Sequence, residues 1–203
     1  MRAMQETVTA APVVPPAPGA EQYLALDFAN SALALPGDRF LDLLGSPAAG
    51  TQWLIEHDLA PAGLDAGLQE RCAAQLRTLR EHIRALLASH LDGHPAPADA
   101  LSAVNDALTR APAALLLAWE PTRGLYRAAA HPATQIVEHA LATLAASAAD
   151  LLTGPDRERL TACGSPPCSR YLLRYGRRRW CSVRCGDRAR AARAYARRSR
   201  TNS

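Results

Sequence analysis

The chain has 203 residues, 48% of them apolar but only 5% aromatic, with five cysteines, no lysine and a formal net charge of +4. That is enough for one domain of ordinary size plus a small appendage, and a Leu/Ala-rich core favours helices. No run of about 18 apolar residues occurs, which argues against a transmembrane helix, and Glu6 with its neighbouring prolines replaces the apolar core of a signal peptide. A cytoplasmic protein without a membrane partner is expected, and in a reducing compartment paired cysteines read as metal ligands before disulfides.

Residues 1–20 are Pro/Ala-rich and aperiodic and read as a disordered lead-in. A helical domain over 21–155 follows. It opens with the apolar YLALDFANSAL, residues 23–33, a short helix; GDRFLDLLGSP then supplies a turn and an extended piece. Ser46 followed by Pro47 is a helix start, with Ser as N-cap and Pro at N1. The strongest periodicity lies in 63–92, where Leu64, Leu68, Cys72, Leu76, Leu79, Ile83 and Leu86 recur at steps of three or four. This predicts a long amphipathic helix ended by Gly93 and Pro95, with Cys72 as a buried packing residue. A helix over 98–110 comes next, then a β-hairpin in ALLLAWEPTRGLYRAAA, residues 114–130, the only convincing one before the cysteine cluster. Residues 132–152 carry just Glu138 and Asp150 as charges and form a helix buried on most sides. The fold class is therefore mainly α with a β-hairpin.

Charge changes sign along the chain. From Cys163 to Ser203 twelve arginines face one acid, Asp187, for a charge of +11, whereas the first 162 residues carry −7. Such a split marks a separate basic module, 156–203, with an anionic partner, most often nucleic acid. Within it Cys163-x4-Cys168 and Cys181-x3-Cys185 lie twelve residues apart. Two short pairs at this separation fit a tetrahedral four-thiolate site for one structural zinc ion, Zn(2+), with no open position for catalysis. Between the pairs, SRYLLRYGRRRW reads as a small hairpin about Tyr175 and Gly176; after Cys185 the chain turns helical. Knuckle, hairpin and helix together predict a treble-clef-like finger that would not fold without metal.

On the final helix Arg190, Arg193, Arg197 and Arg200 fall within roughly 80° on one face. Ala191, Ala192 and Tyr195 fall opposite and are expected to pack on the zinc knuckles, while Arg188 points inward to backbone carbonyls. With Arg177, Arg178 and Arg179 of the hairpin, the stripe forms a candidate nucleic-acid surface, most simply for double-stranded DNA.

RRWCSVRCGDRARAARAYARR, residues 178–198, resembles the signature of the CGNR zinc-finger family, with Asp187 in place of the family's Asn. YLALDFANS, FLDLLGSPAAGTQWLIEHDL and DLLTGPDRERLTAC resemble parts of the ABATE domain that precedes this finger in family members. The resemblance implies a bacterial transcription regulator of the stress response, with a helical domain that senses a ligand or mediates dimerisation and a DNA-binding finger. Because one small finger reads few bases, a homodimer is expected. Asp27 and Asn30, at i and i+3 in an apolar segment, are candidates for a small-molecule pocket, though such residues more often satisfy backbone groups. The alternative is a zinc-stabilised adaptor whose basic module binds RNA, with Tyr171 and Tyr175 stacking on bases, or binds an acidic protein. No local catalytic set or phosphate loop is present, and no enzyme is expected.

Overall fold

The computed structural model describes residues 14–111, 115–129 and 136–201. Helix α1 (Leu24–Ala29) is shorter than predicted and is followed by strands β1 (Ala32–Leu35) and β2 (Arg39–Asp42), an antiparallel hairpin missing from the sequence expectation. The helix stops at Asn30 because its side chain is engaged elsewhere, and the Ser31 hydroxyl donates back to the Phe28 carbonyl at 2.7 Å. Gly37 and Asp38 close the hairpin with φ of +74° and +53°, values that suit Gly and Asp in tight turns.

Helix α2 (Pro47–Glu56) begins as its cap predicts, the Ser46 hydroxyl accepting from the Ala49 amide at 3.1 Å. Helix α3 (Ala66–Asp92) starts where Asp65 accepts from the Leu68 amide at 2.9 Å and ends at Gly93, whose left-handed φ of +67° returns its N–H to the last turn. Helix α4 (Ala98–Arg110) leads into the expected hairpin, β3 (Leu115–Glu120) and β4 (Gly124–Ala129). Helix α5 (Ile136–Thr153) follows, then a 3₁₀ turn over Pro155–Arg159. Strands β5 (Leu160–Ala162) and β6 (Tyr171–Leu173) pair antiparallel, and helix α6 (Val183–Thr201) ends the described chain.

The core lies among α1, α3 and α5, with Leu26, Phe28, Leu76, Ile83, Leu87, Leu144 and Leu151 fully buried. Each such side chain contributes on the order of 2 kcal/mol. Helix α5 is long and apolar enough by composition to cross a membrane, at a mean hydropathy of 1.2. Here it buries Val137, Ala140, Leu141, Leu144, Ala145, Ala148 and Leu151, the stripe of a core helix. Cys72 packs in the same core, where burial pushes its thiol up to about 11.

Two arginines of α3 depart from the apolar stripe. Arg80, only 3% exposed, grips both carboxylate oxygens of Asp42 at 2.6 and 2.8 Å and donates to the Ser31 hydroxyl at 3.1 Å. Arg84 donates to the carbonyls of Ala29 at 2.6 Å and Ser169 at 3.3 Å. Buried arginine is tolerated because its donors find fixed acceptors. Removing Asp42 would leave Arg80 only the Ser31 hydroxyl and the exposed Glu81 carboxylate, each 3.1 Å away, and should destabilise the fold.

At the end of α2, His57 stacks on Trp53 with ring centroids 3.9 Å apart. Its two ring nitrogens lie 2.7 Å from the Trp53 carbonyl and 3.0 Å from an Asp27 carboxylate oxygen. Both partners accept, so both are satisfied only by the protonated ring. Burial lowers the His57 pKa, but the Asp27 and Trp53 hydrogen bonds and the Asp27 charge raise it more, leaving it above the ordinary value. The contribution to stability is therefore full below the unfolded pKa of about 6.5 and is lost as pH rises through the folded pKa. The melting temperature should fall between pH 6 and pH 8, and fall less in Asp27→Asn; parallel profiles would remove this pair from the pH dependence.

Candidate metal centre and basic surface

Cys163 follows β5, Cys168 sits in the loop before β6, Cys181 precedes α6 and Cys185 lies in its first turn. Their four sulfurs fall within 4.8 Å of one another. Cys168 and Cys181 are 3.7 Å apart, Cys181 and Cys185 3.6 Å. Four ligands at about 2.3 Å from a tetrahedral zinc would have edges of about 3.8 Å. The cluster is thus suited to one zinc ion and far too open for disulfides. The hydrogen bonds within the cluster lower the Cys163 thiol and raise that of Cys168, whereas a bound zinc would require all four as thiolates.

Backbone and side-chain donors fix the sulfurs. The Cys181 amide donates to the Cys163 sulfur at 3.5 Å, and the Arg188 guanidinium donates to the Cys185 sulfur at 3.4 Å. Arg188 also donates to the carbonyls of Ser165 at 2.8 Å and Pro166 at 3.2 Å, the inward role predicted for it. The close approach of Gly164 to the Arg179 carbonyl, joined by a 2.9 Å hydrogen bond, ties the two cysteine loops together.

The module differs from the expected finger in three ways. First, no hairpin forms about Tyr175 and Gly176. β6 pairs with β5 upstream, since Leu172 and Leu173 can be buried while Arg177–Arg179 cannot, and those three arginines lie exposed in a loop. Second, the end of the supposedly disordered lead-in is built into the module. Residues 1–13 lie outside the described residues, but Ala17 is 1% exposed and packs with Cys163, Leu172, Cys181 and Cys185. The Pro18 carbonyl accepts from the Leu173 amide at 2.7 Å, and buried Arg170 donates to the Pro15 carbonyl at 2.8 Å. Third, Ala191, Ala192 and Tyr195 do not pack on the knuckles; Tyr195 is 75% exposed. The zinc core is already filled by Leu172, Ala17 and Trp180, so α6 leaves the module after Ala189 and its last twelve described residues project.

Arg190, Arg193, Arg197 and Arg200 are all exposed on this projection, and so is Arg198 beside them, which the helical stripe does not include. Arg190 ion-pairs with Asp187 at 2.5 Å, and Arg190 and Arg193 lie 5.8 and 5.6 Å from the centre of the Trp180 ring. Arg178 turns back to the Trp180 and Cys181 carbonyls. It braces the second cysteine loop.

Asp27 and Asn30 turn to different protein partners. Asp27 meets His57, while the Asn30 amide donates to the Tyr171 carbonyl and accepts from the Tyr171 amide, both at 2.8 Å. It completes the ladder of β6 as a neighbouring strand would. A groove of about 380 Å³ runs between α3 and α4 past Ala74, Thr78, His82, Ala103, Asp106 and Arg110.

Two family models match the chain. The ABATE model, described as "Putative stress-induced transcription regulator", covers residues 22–155, and the CGNR zinc finger covers 159–198. No curated protein matches.

The seated segment yields a test of the site. Ala17→Glu places an unpaired carboxylate against the cysteine cluster, and zinc should pass to a chelator at least about tenfold faster than from the parent. An unchanged transfer rate would show that the segment does not support the centre.

Proposed function

The chain belongs to the ABATE family and ends in a CGNR zinc finger, and on that footing we propose that it is a cytoplasmic transcription regulator that binds double-stranded DNA through α6. One observation carries the reading: an arginine-rich helix is rooted in the cysteine cluster at Cys185 and projects beyond it. The twelve residues after Ala189 extend about 18 Å at 1.5 Å per residue, and a helix of that width fits a DNA major groove. Bound zinc supplies a rigid anchor for two loops and the first turn of α6. The chain's own residues do the rest: Arg188 orients the helix root, Trp180 restrains Arg190 and Arg193, and Arg197 and Arg200 reach phosphates or guanine edges. Arg177 and Arg179 broaden the positive surface beside the root.

A helix of this length reads few bases, so the regulator is proposed to act as a homodimer on paired half-sites. The helical domain would supply the second copy's docking face and the response to stress. Of the two tyrosines the RNA adaptor reading would use for stacking, Tyr171 is buried; Tyr175 stays exposed, with Arg159 4.2 Å from its ring centre and a hydrogen bond from Gln22. Four thiolates leave the metal no position for an activated water, so binding fits the site better than catalysis.

The first experiment is selection of the zinc-loaded protein on random duplex DNA beside a structured RNA pool at two salt concentrations. A recovered duplex motif supports the reading; RNA recovery alone overturns it. Replacing Arg193, Arg197 and Arg200 with Ala should reduce the slope of log K against log salt by about 0.9 for each phosphate no longer neutralised. Zinc content should be unchanged, because the hydrogen bonds to the Cys163 and Cys185 sulfurs and to the Ser165 and Pro166 carbonyls come from Cys181 and Arg188, not from these three. An unaltered slope would move the nucleic-acid surface off α6.

A further inference from the structure

We propose that Arg190 reads a guanine in the major groove and that Asp187 positions it for that task, a role that rests on the duplex DNA reading above and deepens it. Asp187, Arg190, Ala191 and Ala194 share one face of α6, spaced i, i+3, i+4 and i+7. The two alanines keep the helix slim there, so its backbone can come close to base edges in a groove that admits one helix. Arg193, Arg197 and Arg200 lie to one side of this face, placed for the phosphates of a strand.

Arg190 is held as a base-reading side chain must be. Its Nη2 donates to the Asp187 Oδ1 at 2.5 Å. Its guanidinium carbon lies 5.8 Å from the centre of the Trp180 ring. Gly186 keeps this slot open: a Cβ there would lie 3.3 Å from the Arg190 Nη1 and 3.3 Å from the Trp180 Cε3. Glycine inside a helix costs stability relative to alanine, and the slot gives Gly186 a reason. Trp180 packs on the zinc core, so the metal centre sets where the guanidinium sits. Asp187 engages one N–H of the five that a guanidinium carries. The fork left over matches the O6 and N7 acceptors of guanine.

Stability does not account for Asp187. The side chains of Asp187 and Arg190 are 63% and 56% exposed, and such pairs add little to folding. Against DNA the carboxylate is a cost. It is the one acid among twelve arginines from Cys163 to Ser203, and it repels phosphate. A charge that lowers affinity for every duplex is useful where it widens the difference between sequences.

The test is selection of the zinc-loaded full-length protein on random duplex DNA. Affinities for the recovered site and for its single base-pair variants are then measured at two salt concentrations. The parent should select a site with one required guanine. Arg190→Ala should lose at least about fivefold of the preference for that guanine, the low end for one bidentate contact, and keep its preferences elsewhere in the site. Asp187→Asn should bind arbitrary duplex more tightly than the parent yet discriminate that guanine less, opposite changes that a structural role would not produce. Zinc content is checked for both, and Arg190→Gln replaces Arg190→Ala should that variant lose the metal. A uniform loss of affinity with a flatter salt slope and the guanine kept would make Arg190 a phosphate contact and overturn the proposal. An Asp187→Asn protein that discriminates like the parent does the same. Duplex binding with no recovered motif overturns the assignment and leaves DNA binding standing; no duplex binding overturns both.

Discussion

Strand β6 is three residues long and is shared by two cores. Tyr171 and Leu173 point into the helical core, whereas Leu172 points into the zinc core, as the two-residue alternation of a strand requires. The Asn30 amide pairs with both backbone groups of Tyr171, so a buried strand end is satisfied where no further strand exists among the described residues. Arg84 adds a second tie, through the Ser169 carbonyl, and the Ser169 hydroxyl accepts from the Ala34 amide at 3.1 Å. The metal centre and the helical domain therefore meet through side-chain and backbone bonds as well as through packing.

Features that depend on local spacing were legible in the sequence. The cysteine pairs specify a four-sulfur site because their spacing limits how two turns can meet. Caps at Ser46 and Asp65 and the stop at Gly93 follow from the orphan groups at helix ends. Pairings between distant segments were not legible. Arg80 interrupts an apolar stripe as an exposed charge would, and only the fold brings Asp42 to it. Ala17 lies in a Pro/Ala-rich stretch with no periodicity, and nothing local says that it fills a gap between cysteines. The β1–β2 hairpin was hidden because ALAL continues the apolar run of α1, and apolar runs of this length suit helix and strand equally. At the candidate pocket, Asp27 lies on α1 while Asn30 caps its end, and their partners lie on different elements.

Arginine does two jobs in the basic module, and burial separates them. Arg170 and Arg188 end on backbone carbonyls, and with Arg178 they hold loops that have few apolar side chains of their own. The exposed arginines of α6 lie beyond that scaffold. Counting all twelve as a binding surface would overstate it, since a guanidinium that is buried or turned to the loop carbonyls is not presented to a phosphate. The exposed subset is the one aligned along the projecting helix.

The two family segments abut between residues 155 and 159, but packing draws no line there. Leu160, Tyr171 and Leu173 belong to the first segment's core while lying in the second, and Gly19, ahead of the first, sits so close to Leu173 that an added Cβ would fall 2.5 Å from its side chain. A cut at the boundary would leave one fragment with an apolar slot and the other with three greasy side chains in water. As units of inheritance the halves are two; as a folded chain they are one solubility unit.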